Sequence, residues 1–282
     1  MAVVALLGGP GAPGVTSTAL ALLRTWPLQG RQRVLLAECD PDGGAVLPGA
    51  LQSRLPAGRG LKNLAVSSRT QELVNAFWTQ LVALREESDG DAGANSRLLL
   101  PGLANFTDAA SLTPVWPALF DLFQNIEAYE HDVLVDLGRS GAFGPAGVLA
   151  LRADVVLMVV RGTLRGVHAA RVRVEALRRL LDGDGGHGAG SLGVLLITEG
   201  PYRAREVEEE LGVPVVTTLP YLPNQAAVLS DGAEEPRRFM RGVLMRAARS
   251  ATTPIRQRVA TRRARLASPL YQRLQGVTRD AR

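Results

Sequence analysis

Six short runs of consecutive apolar residues recur along the chain, most of them followed by a longer stretch with helical spacing. The runs are Val3–Leu7, Val34–Cys39, Val133–Leu137, Val155–Val160, Val194–Thr198 and Val213–Thr217, with Arg97–Leu100 as a seventh. A strand that is apolar on successive residues is buried on both faces, which is the situation inside a parallel sheet covered by helices. The helices are expected at Val15–Trp26, Thr70–Arg85, Thr113–Ala128, Gly166–Leu181 and Arg203–Leu211. Within Gly166–Leu181, Val167, Ala170, Val174, Leu177 and Leu181 recur at helical spacing, and Pro114 suits a first helical turn. The expected fold is α/β, a mostly parallel sheet with helices on both faces spanning residues 1–232. A basic helical C-terminal extension, residues 233–282, follows it.

Several classes are excluded. A length of 282 residues with 46% hydrophobic side chains is enough for a sizeable core. No stretch of about 18 consecutive apolar residues is present, so no transmembrane helix is expected. The apolar N-terminus lacks a positive leader segment and reads as a first strand, giving a cytoplasmic placement. The single cysteine, Cys39, can form no internal disulfide and no metal site alone, and it reads as a small buried hydrophobe. No Ser-His-Asp or Cys-His pairing stands out, and His131 and His168 read as structural. The Gly- and acid-rich segments Glu86–Ser96 and Asp182–Ser191 read as surface connections, with His187 solvated in the second.

Charge is unevenly placed. Arg237 to Arg282 contains 13 Arg and one acid, Asp280, a net +12. The whole chain is +5, which leaves −7 on residues 1–236. A basic segment on an acidic body fits contact with DNA, with an anionic membrane, or with a protein face, this domain's own included. Two helices are expected there, separated at Pro254, with Pro269 breaking or kinking the second.

The first apolar run leads into Gly8-Gly9-Pro10-Gly11-Ala12-Pro13-Gly14-Val15-Thr16-Ser17, and a helical pattern follows. Strand, glycine turn and helix N-terminus together converge backbone N–H groups and the helix dipole on one point, an anion site. The spacing is that of a phosphate-binding P-loop, G-x-x-x-x-G-K-[ST], with Gly9, Gly14 and Thr16 in place and Val15 where the lysine belongs. Further on, one strand ends in Glu38-Cys39-Asp40-Pro41-Asp42-Gly43-Gly44, another in Asp132-Val133-Leu134-Val135-Asp136-Leu137-Gly138. Leu219-Pro220-Tyr221 comes later, with Asn224 and Gly232 behind it.

This ordered set, over about residues 1–232, resembles the ParA/MinD superfamily of deviant-Walker P-loop ATPases, and within it the branch related to the TadZ/CpaE pilus-assembly localisation proteins of actinobacteria. The resemblance implies ATP and Mg2+ as ligands, cradled by Gly9, Gly11, Gly14, Val15, Thr16 and Ser17. It implies that Thr16 coordinates the metal, that Asp136 holds it through water, and that Asp40 orients the attacking water. Hard oxygen donors of these kinds suit a cation bridging phosphates. It also implies a homodimer or a protein partner. Relatives that bridge an iron–sulfur cluster need cysteines this chain lacks, and amidoligase relatives keep the loop lysine.

The departures from the family pattern are specific. Its two loop lysines are replaced by Pro10 and Val15, and Lys62 is the only lysine in the chain. Pro10 and Pro13 also offer no N–H. A charge-assisted hydrogen bond to phosphate is worth about 1.5–3 kcal/mol, so losing two weakens ATP binding by about two orders of magnitude. Hydrolysis, which needs charge neutralised in the transition state, suffers more. The expected function is a positioning or regulatory protein acting through partners or dimerisation with weak nucleotide binding. An active partition-type switch and a nucleotide-independent adaptor are the alternatives.

Overall fold

The structure is a computed structural model and describes residues 2–11, 14–52, 58–69, 72–84, 96–126 and 130–280, the last of these as backbone only from residue 267. Residues 12 and 13 of the glycine turn and residues 86–95 of the first acid-rich loop lie outside the described residues.

Eight strands form one sheet: β1 Val3–Gly8, β2 Arg33–Glu38, β3 Val82–Leu84, β4 Arg97–Leu100, β5 His131–Asp136, β6 Val155–Arg161, β7 Leu192–Thr198 and β8 Val215–Pro220, in the order β3-β4-β2-β5-β1-β6-β7-β8. All neighbours pair in parallel except β3, which runs antiparallel to β4 at one edge. The helices are α1 Val15–Thr25, α2 Leu61–Ser67, α3 Leu73–Gln80, α4 Trp116–Asn125, α5 Val148–Leu151, α6 Leu164–Asp182, α7 Ala204–Leu211, α8 Pro223–Ser230 and α9 Val243–Asp280. The period-two alternation of strand side chains splits the core in two. Val3, Ala5 and Leu7 pack with residues of α4, α6 and α7 on one face. Ala2, Val4 and Leu6 pack with α1, α8 and α9 on the other.

Four expectations change. The segment expected as one helix over Thr70–Arg85 is α3 followed by the edge strand β3. Leu81 to Leu84 suits either period, and the outer edge of β4 has backbone groups that need partners, so pairing wins. The helix expected from Thr113 begins at Trp116, and Pro117, rather than Pro114, occupies its first turn. The last strand starts at Val215 instead of Val213, because Pro214 has no N–H to give the ladder.

The fourth change concerns the basic segment, which forms one helix, α9, that continues through Pro254 and Pro269. Pro254 removes one helical hydrogen bond, but its neighbours Ala251 and Ile255 are buried against the sheet, and that packing holds the axis. Leu244, Met245, Ala248 and Val259 are buried on the same stripe, against α1 and β8. Three arginines of this helix also point inward. Arg258 donates to the carbonyls of Gly190 and Leu192 (3.0 and 2.6 Å), and Arg262 donates to the carbonyl of His187. Arg263 makes two bonds of 2.8 Å to Asp154, whose carboxylate also accepts from the Val3 amide at 2.9 Å. His187, expected in solvent, is half-buried beneath this contact; burial pushes its pKa down and the Arg262 charge adds to the effect.

Candidate functional site

The ends of β1, β2, β5 and β6 meet at one edge of the sheet, the edge where open α/β sheets place ligands. Gly8 donates to the Gly138 carbonyl (2.9 Å) and Cys39 to the Asp136 carbonyl (2.7 Å), so the three loops leaving β1, β2 and β5 share one hydrogen-bonded origin. Gly14, at φ 87° and ψ 38°, turns the chain into α1 and provides no side-chain cap. The first amides of α1 therefore face the cavity without a protein acceptor supplied by the cap position. The Val15 side chain is buried with the core on the α1 side of the sheet.

Thr16 and Asp136 are brought together. Asp136 is 1% exposed, and its carboxylate accepts hydrogen bonds from the Thr16 side chain and from the Gly138 amide at 2.9 Å. Burial pushes its pKa up to about 6, with the nearby Glu38 charge adding and the two hydrogen bonds opposing. Asp40 is also raised to about 6, first by burial, then by the Asp136 and Asp42 charges, with the Asp42 amide and Arg139 pulling it down. Gly138, at φ +55°, lies directly against Asp40, and a Cβ there would collide with the carboxylate. Asp40 is thus wedged above the Asp136 turn, with Oδ1 accepting from the Asp42 amide at 3.0 Å.

The pKa of Asp136 has a consequence for stability. A carboxyl raised above its ordinary value favours the fold in its neutral form, so its contribution is full below about pH 4 and lost as pH rises through 6. Two pKa units correspond to about 3 kcal/mol. In metal-free buffer, Asp136→Asn is expected to melt several degrees higher than the wild type at pH 7.5, with the gap closing near pH 4. Paired thermal melts at the two pH values measure this. Equal pH shifts in both proteins would show that the burial carries no such cost.

Gly14, Val15, Thr16, Ser17 and Asp40 line one cavity of about 460 Å³, closed on the far side by Pro220, Tyr221 and Leu222. Gly9 and Gly11 do not line it; they border a neighbouring cavity of about 280 Å³ between the loop and the start of α6. Asp136 does not line the larger cavity, and its carboxylate is bonded to the side chain of Thr16, which does. The donor set fits a hard divalent cation, since a hydroxyl and a carboxylate supply oxygen ligands. Among the described residues no three His, Cys, Asp or Glu side chains are arranged to hold a metal. A bound ion would complete its shell with oxygens of water or of a ligand.

Sequence reading gave no role to Glu38. It is 1% exposed; Oε1 accepts from the amides of Ala45 and Val46 (2.8 and 2.9 Å) and Oε2 from Gly102 (3.2 Å). Its pKa is raised by burial, which the three amides oppose. The signal was available: a carboxylate inside an otherwise apolar strand end has to be satisfied somewhere. Arg139 and Arg161, which also line the larger cavity, carried no such signal, because their approach is a matter of chain topology.

No protein-family model and no curated protein matches the chain in sequence. Solved structures do match in shape. A ParA family ATPase from Chlorobium tepidum aligns at 16% identity with a TM-score of 0.67, covering 89% of this chain and 98% of the other. The cell division protein MinD of Aquifex aeolicus aligns at 15% identity and a TM-score of 0.63, over 91% and 97%. The septum site-determining protein MinD of Pyrococcus horikoshii, complexed with Mg-ADP, aligns at 12% identity and a TM-score of 0.63, over 88% and 93%. The chain therefore has the same mostly parallel α/β fold as these ParA and MinD structures.

Proposed function

We propose that this chain is a ParA/MinD-like positioning or regulatory protein that binds ATP and Mg2+ weakly and acts mainly through a partner or its own dimerisation. The observation that carries the reading is the bond between the Thr16 hydroxyl and the buried Asp136 carboxylate beside an uncapped helix N-terminus, in a loop whose two lysine positions hold Pro10 and Val15. The oxygen donors for a metal are kept while the loop's cations are gone. Bound Mg2+ would neutralise phosphate charge. Thr16 would hold that ion, Asp136 would fix the Thr16 hydroxyl and hold the ion through water, and Asp40 would orient a water. Gly9, Gly11, Gly14, Val15 and Ser17 would supply the cradle. With pKa values of about 6, Asp40 and Asp136 are about half neutral at pH 6 and mainly ionised above pH 7, so any general-base step would fall off as pH drops below 6.

The test is equilibrium dialysis of Mg-ATP against the wild type and Val15→Lys. The wild type should bind only at high micromolar to millimolar concentration, and the lysine should tighten binding by about tenfold or more. Micromolar affinity in the wild type together with brisk phosphate release that falls in Asp40→Ala would instead establish the active switch. No binding by either protein would establish the adaptor.

The dimer or partner surface is proposed at the face carrying the phosphate loop, Asp40 and Asp136. Arg258, Arg262 and Arg263 of α9 are bonded to the domain itself, whereas exposed arginines of the same helix, Arg249 and Arg265 among them, would serve anionic contacts with DNA or lipid. No helix among the described residues is long and apolar enough to cross a membrane.

A further inference from the structure

The loop carries no cation of its own, yet three guanidinium groups gather around it from β6 and α6. Arg161, the last residue of β6, stands on the wall shared by the two cavities. It is held in place by Glu199 at 3.3 Å and by the Tyr221 ring, 5.2 Å from its guanidinium carbon. Arg165, in the first turn of α6, is exposed and brings a terminal nitrogen to 4.0 Å from where a Cβ on Gly11 would stand. Among the described residues it has no carboxylate partner. Arg173 passes beside Gly9, its Cδ 3.7 Å from that residue's absent Cβ. Its guanidinium donates to the Arg139 carbonyl and lies over the Phe143 ring, which turns it toward that side of the loop, so it adds mainly field.

Glu199 is the one acid lining the smaller cavity, against Arg161 and Arg165 in the lining and Arg173 behind it. Like charges drawn into one cleft repel unless an anion sits between them. A guanidinium also offers two parallel N–H donors that match phosphate oxygens, which a single ammonium does not. Gly9 and Gly11, without side chains, let an anion approach the backbone closely.

We infer that Arg161 and Arg165 supply, from outside the loop, the positive charge that the loop's own sequence lacks, and that they clamp the terminal phosphates of a polyphosphate chain in the cleft between Gly9–Gly11 and α6. The inference rests on the nucleotide reading for the source of that chain, a nucleoside triphosphate. It assigns the neighbouring cavity, and not the α1 end alone, as the seat of the outer phosphates.

The test measures binding of Mg-ATP and, separately, of metal-free inorganic tripolyphosphate to the full chain at low salt. The proteins are the wild type, Arg161→Ala, Arg165→Ala and the remote surface control Arg179→Ala. Each clamp variant is expected to weaken both ligands by about tenfold, the scale of one lost charge-assisted contact, with the control unchanged. Arg165 is exposed, so its variant keeps the fold and decides the matter even if Arg161→Ala melts early. Binding of ATP that is identical in wild type and Arg165→Ala overturns the clamp and leaves the nucleotide reading standing. Arginine-dependent binding of tripolyphosphate without binding of ATP supports the clamp and removes the nucleotide. Absence of binding by either ligand overturns both.

Discussion

Deleting residues 243–282 is expected to leave a chain that does not fold, recovered only in the insoluble fraction. This segment is basic enough to be taken for an appendage, yet its first five turns cover one face of the sheet. Leu244, Met245, Ile255 and Val259 are each 7% exposed or less, packed with Leu20, Leu195, Leu219 and others. Each large side chain returned to water costs about 1.5–3 kcal/mol. Four of them come to about 6–12 kcal/mol, which matches the whole stability of an ordinary domain. The single substitution Ile255→Asp, placing a charge at a position 0% exposed, should abolish cooperative melting. Leu266→Ser, at a position 52% exposed on the same helix, should change the unfolding free energy read from a urea melt by no more than about 0.5 kcal/mol. If the truncated chain were soluble with a sharp melt, the face would have some other cover.

Glu38→Ala is expected to lower the melting temperature by about 10 °C, the next largest effect. Oε1 of the carboxylate accepts from the amides of Ala45 and Val46, and Oε2 accepts from the Gly102 amide. Removing it strands the buried Val46 amide and two partly buried donors, and takes away a buried acid, at a cost of about 3–5 kcal/mol. In a chain of this size each kcal/mol is worth about 2–4 °C. Glu38→Gln keeps one acceptor oxygen and should fall between. The loss should spread to the site, because Gly44 and Gly102 touch backbone to backbone and the loop between Asp40 and Val46 is hung from Glu38. Hydrogen exchange at Ala45, Val46 and Gly102 should quicken together. Protection unchanged in the alanine variant would mean the loop is held by other contacts, such as the Gly44 amide to the Leu103 carbonyl at 2.7 Å.

The parts of this protein legible in its sequence are those fixed by neighbours along the chain. A buried strand shows as an unbroken apolar run, so Val3–Gly8, Arg97–Leu100, His131–Asp136 and Val155–Arg161 lie where they were expected to within two residues. A strand, a glycine at φ 87° and a helix starting with Val15 form a local unit, so the loop was visible too. Thr16, Asp40 and Asp136 stand at strand or helix ends, and any parallel sheet brings such ends to one edge. The β3 strand was missed because four apolar residues fit two periods, and only the open edge of β4 chose between them.

What tertiary structure alone decided is where charges and hydrogen-bond partners meet across long chain separations. Glu38 finds Gly102 64 residues away, Arg263 finds Asp154 109 residues away, and Arg165 stands beside Gly11 only because β6 lies next to β1 in the sheet. Coulomb energy and hydrogen bonding depend on distance in space, and residue order carries no record of that distance until the strand order is known. The sequence therefore determined a P-loop fold whose loop has no lysine. Only the folded chain determined that arginines surround that loop and that a basic helix seals its core.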